Sequence, residues 1–174
     1  CVFDKVQADP PDSVVMDAKI RAEEFGAELI IGFGGGSSMD TAKLVALLLG
    51  SPQTLEQMYG VNKATGPRLP LILVPTTSGT GSEVTPISVI TVGESSKMGV
   101  NAPPLYPDMA ILDAGLTIGL PPAATAATGI DAMVHAIEAY TTKLQKNPVS
   151  DALALAGLKK LHSAIERACT VGSD

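Results

Sequence analysis

The sequence predicts an α/β fold, a parallel sheet covered by helices, giving way towards its end to an all-helical segment. Three observations lead there. Short apolar runs, ELIIGF at 28–33, LPLILVP at 69–75 and MAILD at 109–113, have the length and β-branched content of buried strands. Helical periodicity stands on both sides of the first run, the helix–strand–helix rhythm of a parallel sheet. Hydrophobic residues make up 45% of the 174, yet only three Tyr and three Phe are aromatic. The core is therefore built from Ala, Val, Ile and Leu, which suits strands buried on both faces.

The elements follow in order. The opening CVFDKV is strand-like, and a chain beginning there without methionine reads as the interior of a longer protein. Residues 12–25 (DSVVMDAKIRAEEF) carry a helical pattern, with Gly26 where a helix C-terminal glycine belongs. The strand at 28–33 then runs into GGGSSMDTAK. Ser37 reads as an N-cap and Asp40, three residues on, as its capping-box partner, opening a helix through Leu49 that Gly50 and Pro52 end. After the strand at 69–75 comes TTSGTGSE, rich in hydroxyls and glycine, then PISVITV at 86–92 and MAILD, both read as strands. From LPPAAT at 120–125 the apolar residues recur at helical spacing through about 122–143 and 148–168, separated by Asn147-Pro148. The change of character places a domain boundary near 118–121. An α/β domain over 1–119 would precede the first helices of a helical domain over 120–174, and the helical pattern is still unclosed at ERACTVGSD.

Composition excludes several functions. A net charge of −6 offers no basic patch to a phosphate backbone, so no nucleic-acid partner is expected. The longest apolar runs are too short to cross a bilayer, and nothing at the start reads as a signal peptide. No membrane partner and a cytoplasmic location are expected. Cys1 and Cys169 stand at opposite ends without a CxxC pair and read as free thiols.

Three stretches carry chemistry. Gly34, Gly35 and Gly36 between a strand and a helix would leave backbone amides free at a helix N-terminus, where a phosphate is favoured, and Ser37 adds a hydroxyl. The pattern is not GxGxxG, and the glycines could equally serve only to turn the chain. In the second stretch Thr76, Thr77, Thr80 and Ser82 surround Gly79 and Gly81 directly after a strand. Two such loops at the C-terminal ends of parallel strands could flank one nucleotide, while a polar surface loop is the plainer reading. Glu83 reads as a local cap or ion-pair partner. The third is TGIDAMVHAIEAY at 128–140, which sets Asp131 and His135 one helical turn apart on one face. An oxygen and an imidazole so placed suit a divalent metal, and equally a helix-end ion pair.

Together these blocks resemble the iron-containing, group III alcohol dehydrogenase family. The matching pieces are GGGSSMDTAK, PTTSGTGSE at 75–83, Lys97 followed by YPDMAILD, LTIGLPP at 116–122 and TGIDAMVHAIEAY, and the resemblance spans roughly residues 1–168. It implies a parallel-sheet nucleotide-binding domain followed by the start of an all-helical metal-binding domain. The implied reaction is hydride exchange between a small primary alcohol or its aldehyde and NAD or NADP. The implied metal is iron(II), with zinc as the alternative, acting as a Lewis acid on the alcohol oxygen. Carried over by position, Gly35, Gly36 and Ser37 would contact the cofactor phosphates. Thr76, Thr80, Thr85 and Val89 would line the cofactor's nicotinamide half, Thr77 and Ser82 of the same loop would also bind the cofactor, and Lys97 would reach a ribose or phosphate oxygen. Asp131 and His135 would be two of four protein ligands to the metal. Asp9, in QADPP, departs from the asparagine usual in the family, and His162 matches no family motif. The family's two further metal histidines lie beyond this motif and are not in these 174 residues, so the sequence as given is expected to be inactive alone. A homodimer or higher homo-oligomer is implied. A related enzyme of the glycerol dehydrogenase and dehydroquinate synthase group, or a non-catalytic nucleotide-binding module, would share much of this pattern.

Overall fold

The computed structural model describes residues 1–172. Contacts divide the chain into two compact units: Cys1–Pro75 with Ser82–Asp113, and Thr76–Gly81 with the residues from Ala114 onward.

In the first unit, α1 (Asp12–Phe25) ends at Gly26 in the left-handed conformation, with φ +68°. β1 (Ile30–Gly34), β3 (Leu71–Pro75) and β6 (Met109–Ala110) form an all-parallel sheet in the order β1-β3-β6. Ile30 pairs with Leu71 and Gly34 with Pro75, so β1 and β3 end level. α2 (Gly36–Gly50) fills the middle of the unit. Its sequence is apolar nearly all round because it is buried on two sides. Met39, Ala42 and Ala46 pack against Leu71 and Leu73, while Leu44, Val45, Leu47 and Leu48 join Val15, Ala18 and Ala22 of α1 with Ile90 and Val100. Strand and helix approach so closely at Gly32 that a Cβ there would stand 2.7 Å from Leu73 Cδ2 and 2.8 Å from Ala42 Cβ.

The remaining strands correct the reading from sequence. After α3 (Leu55–Met58), β2 (Gly60–Val61), β4 (Ile87–Val92) and β5 (Ser96–Asn101) build a second sheet in the order β2-β5-β4. The run at 86–92 is thus one arm of an antiparallel hairpin and no part of the parallel sheet. Its partner, SKMGVN, alternates too weakly to stand out as a strand. Residues 1–6, the strand-like opening CVFDKV, carry no regular structure.

The cap assignment at GGGSSMDTAK also changes. Gly35 is the N-cap of α2, with extended backbone (φ −79°, ψ −174°) and no capping side chain. Ser37 is already inside the first turn, and its carbonyl accepts a hydrogen bond from Thr41 Oγ1 at 2.9 Å. Asp40 caps nothing. One turn into the helix, it is out of reach of the N-cap and faces the second sheet instead.

In the second unit, α4 (Pro122–Thr141) and α5 (Pro148–Thr170) pack against each other, with Gly129 facing Ile165 at a separation that leaves no room for a Cβ without adjustment. Asn147 caps α5, its Oδ1 accepting from the amides of Val149 (3.1 Å) and Ser150 (2.9 Å). Among the described residues no helix is long and apolar enough to cross a membrane, and Cys1 and Cys169 are free thiols.

Candidate functional site

In the first unit the candidate residues gather where β1 passes into α2. Gly34 closes β1 with φ +145°, and a Cβ there would lie 2.6 Å from Ser38 Oγ. Only glycine fits this turn. Gly35, Gly36 and Ser37 follow, half-buried, at a helix start that no side chain caps. The amides of the first turn have no intrahelical partner, which makes this end of α2 a fitting cradle for an anion.

One turn further on lies an arrangement that sequence reading missed. Lys43 is fully buried, and its Nζ donates to Ser82 Oγ and to the Ile87 carbonyl, both at 2.7 Å. Asp40 lies 3.7 Å from that ammonium, accepts from Ser82 Oγ at 2.6 Å and from the Val89 amide at 2.9 Å. Ser82, also a candidate for cofactor contact, is 5% exposed, and its hydroxyl bridges Asp40 and Lys43. Thr85, half-buried, and Val89, exposed on β4, stay at the surface beside this network. No local pattern signals such a pair, because its partners stand some forty residues away along the chain.

Burial drives both ionisations. It pushes the Lys43 ammonium down to about 8, against the attraction of Asp40. It raises the Asp40 carboxyl, against the hydrogen bonds from Ser82 and Val89. Between about pH 8 and lysine's ordinary value near 10.5, an unfolded chain holds a proton that folded Lys43 has released. The contribution of Lys43 to stability therefore rises with pH across that window. Tyr59, pushed up to about 12 chiefly by burial, acts in the opposite sense only above about pH 10. Denaturation measured between about pH 8 and 9.5 is expected to show the wild type gaining roughly 1–2 kcal/mol over Lys43→Met. A difference that stays constant with pH contradicts this assignment.

Lys97, on β5, is exposed and already engaged. Its Nζ is 2.5 Å from Asp9 Oδ1 and donates to Thr91 Oγ1 at 3.2 Å. Asp9 takes part with a left-handed backbone, φ +52°.

The second unit holds the other candidates. Thr76 and Thr77 are half-buried and Thr80 is exposed. The loop rests on the start of α4, where a Cβ at Gly79 would lie 2.8 Å from Thr128 Cβ. Three residues beyond Thr128, Asp131 and His135 share one face of α4, with Oδ1 and Nε2 3.8 Å apart and both side chains about half exposed. Two metal–ligand bonds of about 2.0–2.2 Å span that gap, so one ion fits between the two atoms. The pair supplies two donors, and no group of three or more His, Cys, Asp or Glu is gathered for a metal among the described residues. His162 lies apart, lining a shallow apolar groove with Met133, Ile137 and Leu158.

This pairing of a glycine turn with a carboxylate–imidazole helix has a family match over nearly the whole chain. Residues 1–114 match the iron-containing alcohol dehydrogenase family model, and residues 125–174 match the C-terminal model of the Fe-containing alcohol dehydrogenases. The chain belongs to the iron-containing alcohol dehydrogenase family. Among curated members it is 42% identical over 174 residues to a sulfoacetaldehyde reductase of Bilophila wadsworthia, covering 99% of this chain and 45% of that protein. Among solved members, a 1,3-propanediol oxidoreductase superimposes with a TM-score of 0.95 at 36% identity, over 100% of this chain and 46% of that one. A sulfoacetaldehyde reductase from Bifidobacterium kashiwanohense, solved in complex with NAD+, gives a TM-score of 0.93 at 31% identity, over 99% of this chain and 46% of that one. The chain thus spans somewhat under half the length of these iron-containing alcohol dehydrogenases.

Proposed function

We propose that the protein interconverts a small primary alcohol and its aldehyde by metal-assisted hydride transfer with NAD or NADP. The observation that carries this reading is the Asp131–His135 pair, an oxygen and an imidazole 3.8 Å apart on one helix face in a chain of this family. It is supported by the uncapped start of α2 behind three glycines, and by the NAD+ bound to the Bifidobacterium relative. The substrate class rests on two relatives named for an aldehyde and for a primary diol.

In this reading, residues 1–119 form the dinucleotide-binding domain and 120–174 the first helices of the metal-binding domain. Gly35 and Gly36 bring the backbone close to the pyrophosphate, and the first-turn amides, with the Ser37 hydroxyl, donate to it. Thr76, Thr77 and Thr80, with Thr85 and Val89, line the nicotinamide half. Lys97 serves a ribose or phosphate oxygen while Asp9 holds its ammonium in place. Asp131 and His135 would hold iron(II), or zinc, as two of its ligands. When bound, the metal supplies Lewis acidity towards the alcohol oxygen and the nicotinamide accepts or returns the hydride. The chain's own task is to align the two reactants, which needs no protein base at the reacting carbon. The protein acts in the cytoplasm as a homodimer or larger homo-oligomer.

The test is a survey of short primary alcohols and aldehydes with the full-length protein, reconstituted with iron(II) or zinc, following reduced nicotinamide by absorbance. Turnover that chelation abolishes and metal restores is expected. Cofactor binding without turnover of any substrate would instead make the protein a non-catalytic nucleotide-binding module.

A further inference from the structure

We propose that Asp40 and Lys43 are a positioning pair that fixes the segment 82–89, and through it Thr85 and Val89, against the nicotinamide half of the cofactor. The inference rests on the dehydrogenase reading above and adds two residues to it that touch neither cofactor nor metal. Burying two opposite charges is costly, and an apolar pair of similar volume would commonly be as stable or more so. The contacts show what the charges hold. Lys43 Nζ reaches Ser82 Oγ and the Ile87 carbonyl at 2.7 Å and Thr85 Oγ1 at 3.5 Å. Asp40 accepts from Ser82 Oγ and from the Val89 amide through its carboxylate, and from Ser88 Oγ at 3.1 Å through its carbonyl. Every one of these partners lies between Ser82 and Val89.

β4 ends its sheet, paired with β5 along its length and bridged on its other side at Thr91, whose amide donates to the Pro10 carbonyl at 2.9 Å. The Asp40 carboxylate satisfies the Val89 amide on the open side of β4 and so sets where Val89 stands. The same helix that offers its first-turn amides to the phosphates thereby holds, one turn later, the segment facing the other end of the cofactor. Asp40 and Lys43 face each other across Ser82, and the carboxylate of Glu83 also acts on Lys43.

The experiment compares NADH with ADP-ribose, which keeps the phosphates and lacks the nicotinamide, by calorimetric titration of the full-length protein. Lys43→Met is expected to lower NADH affinity by about tenfold or more, the scale of a lost charged hydrogen bond, while ADP-ribose changes less than about threefold. The double variant Asp40→Asn/Lys43→Met removes both charges, leaves no unpaired buried ion and should show the same split. Ser82→Ala, which keeps the pair, should shift NADH in the same direction by a smaller factor. Parallel losses for both ligands, or unchanged NADH affinity in these variants, would overturn the proposal. If Lys43→Met does not fold, the other two variants decide by the same criteria. A wild-type protein that binds neither ligand would overturn the dehydrogenase reading itself.

Discussion

Replacing Asp131 by alanine is expected to strip the metal from the full-length protein and to lower kcat/KM by more than about a hundredfold, since Lewis-acid assistance is worth several kcal/mol. The loss is not one of folding. Asp131 and His135 are half exposed and 3.8 Å apart, so their mutual attraction contributes at most about 0.5 kcal/mol. Alanine is also the better helix former, and α4 around position 131 has no buried residue to disturb. Metal content is expected to fall with activity while the thermal midpoint stays within a few degrees. NADH affinity should survive, because the glycine turn that would hold the phosphates belongs to the other unit. Metal retained at wild-type stoichiometry, or cofactor affinity falling in step with metal, would contradict this division of labour.

Gly32→Val is expected to act through the fold. Gly32 lies buried in the middle of β1, where a Cβ would stand 2.7 Å from Leu73 Cδ2, 2.8 Å from Ala42 Cβ and 3.3 Å from the Met39 backbone. Leu73 could swing away, but Ala42 and the Met39 backbone belong to a helix buried on two sides. The three added carbons must push α2 off the sheet, at a cost of about 3 kcal/mol, the upper end for overpacked cores. Denaturant unfolding should show a lower midpoint with little change in slope, and Gly32→Ala should fall in between. Since β1 and α2 meet at Gly34–Gly36, the variant should also bind NADH more weakly even where it is folded. Wild-type stability in Gly32→Val would mean that α2 does not sit as tightly on β1 as these distances require.

Much of the fold was legible because it is written locally. The β-branched runs at 28–33 and 69–75, the glycine after α1 and the long periodic segments on either side of Asn147-Pro148 each signal their own structure within a few residues. The hairpin of β4 and β5 was not legible as such: SKMGVN, with its Ser, Lys and Gly, is a strand because PISVITV and, at one end, β2 lie beside it. The same holds for the caps. Ser37 and Asp40 have capping-box spacing, yet Gly35 caps the helix two residues earlier and the second sheet claims Asp40. Ser82 sat in a run of hydroxyls that looked alike, and an aspartate and a lysine some forty positions upstream hold this one inward. The placing of Thr76–Gly81 with the helical unit follows from Gly79 lying against Thr128, a contact between distant residues that periodicity cannot register. The Asp131–His135 spacing was readable from the helix alone, but the two meanings of that spacing, ion pair and metal site, have the same geometry.

Anomalous diffraction from crystals of the full-length protein loaded with iron(II) distinguishes those two meanings directly. One strong metal peak is expected within about 2.0–2.2 Å of both Asp131 Oδ1 and His135 Nε2, lost in Asp131→Ala. A stoichiometric iron bound elsewhere, or an Asp131–His135 pair that stays a bare ion pair in iron-loaded crystals, would contradict it.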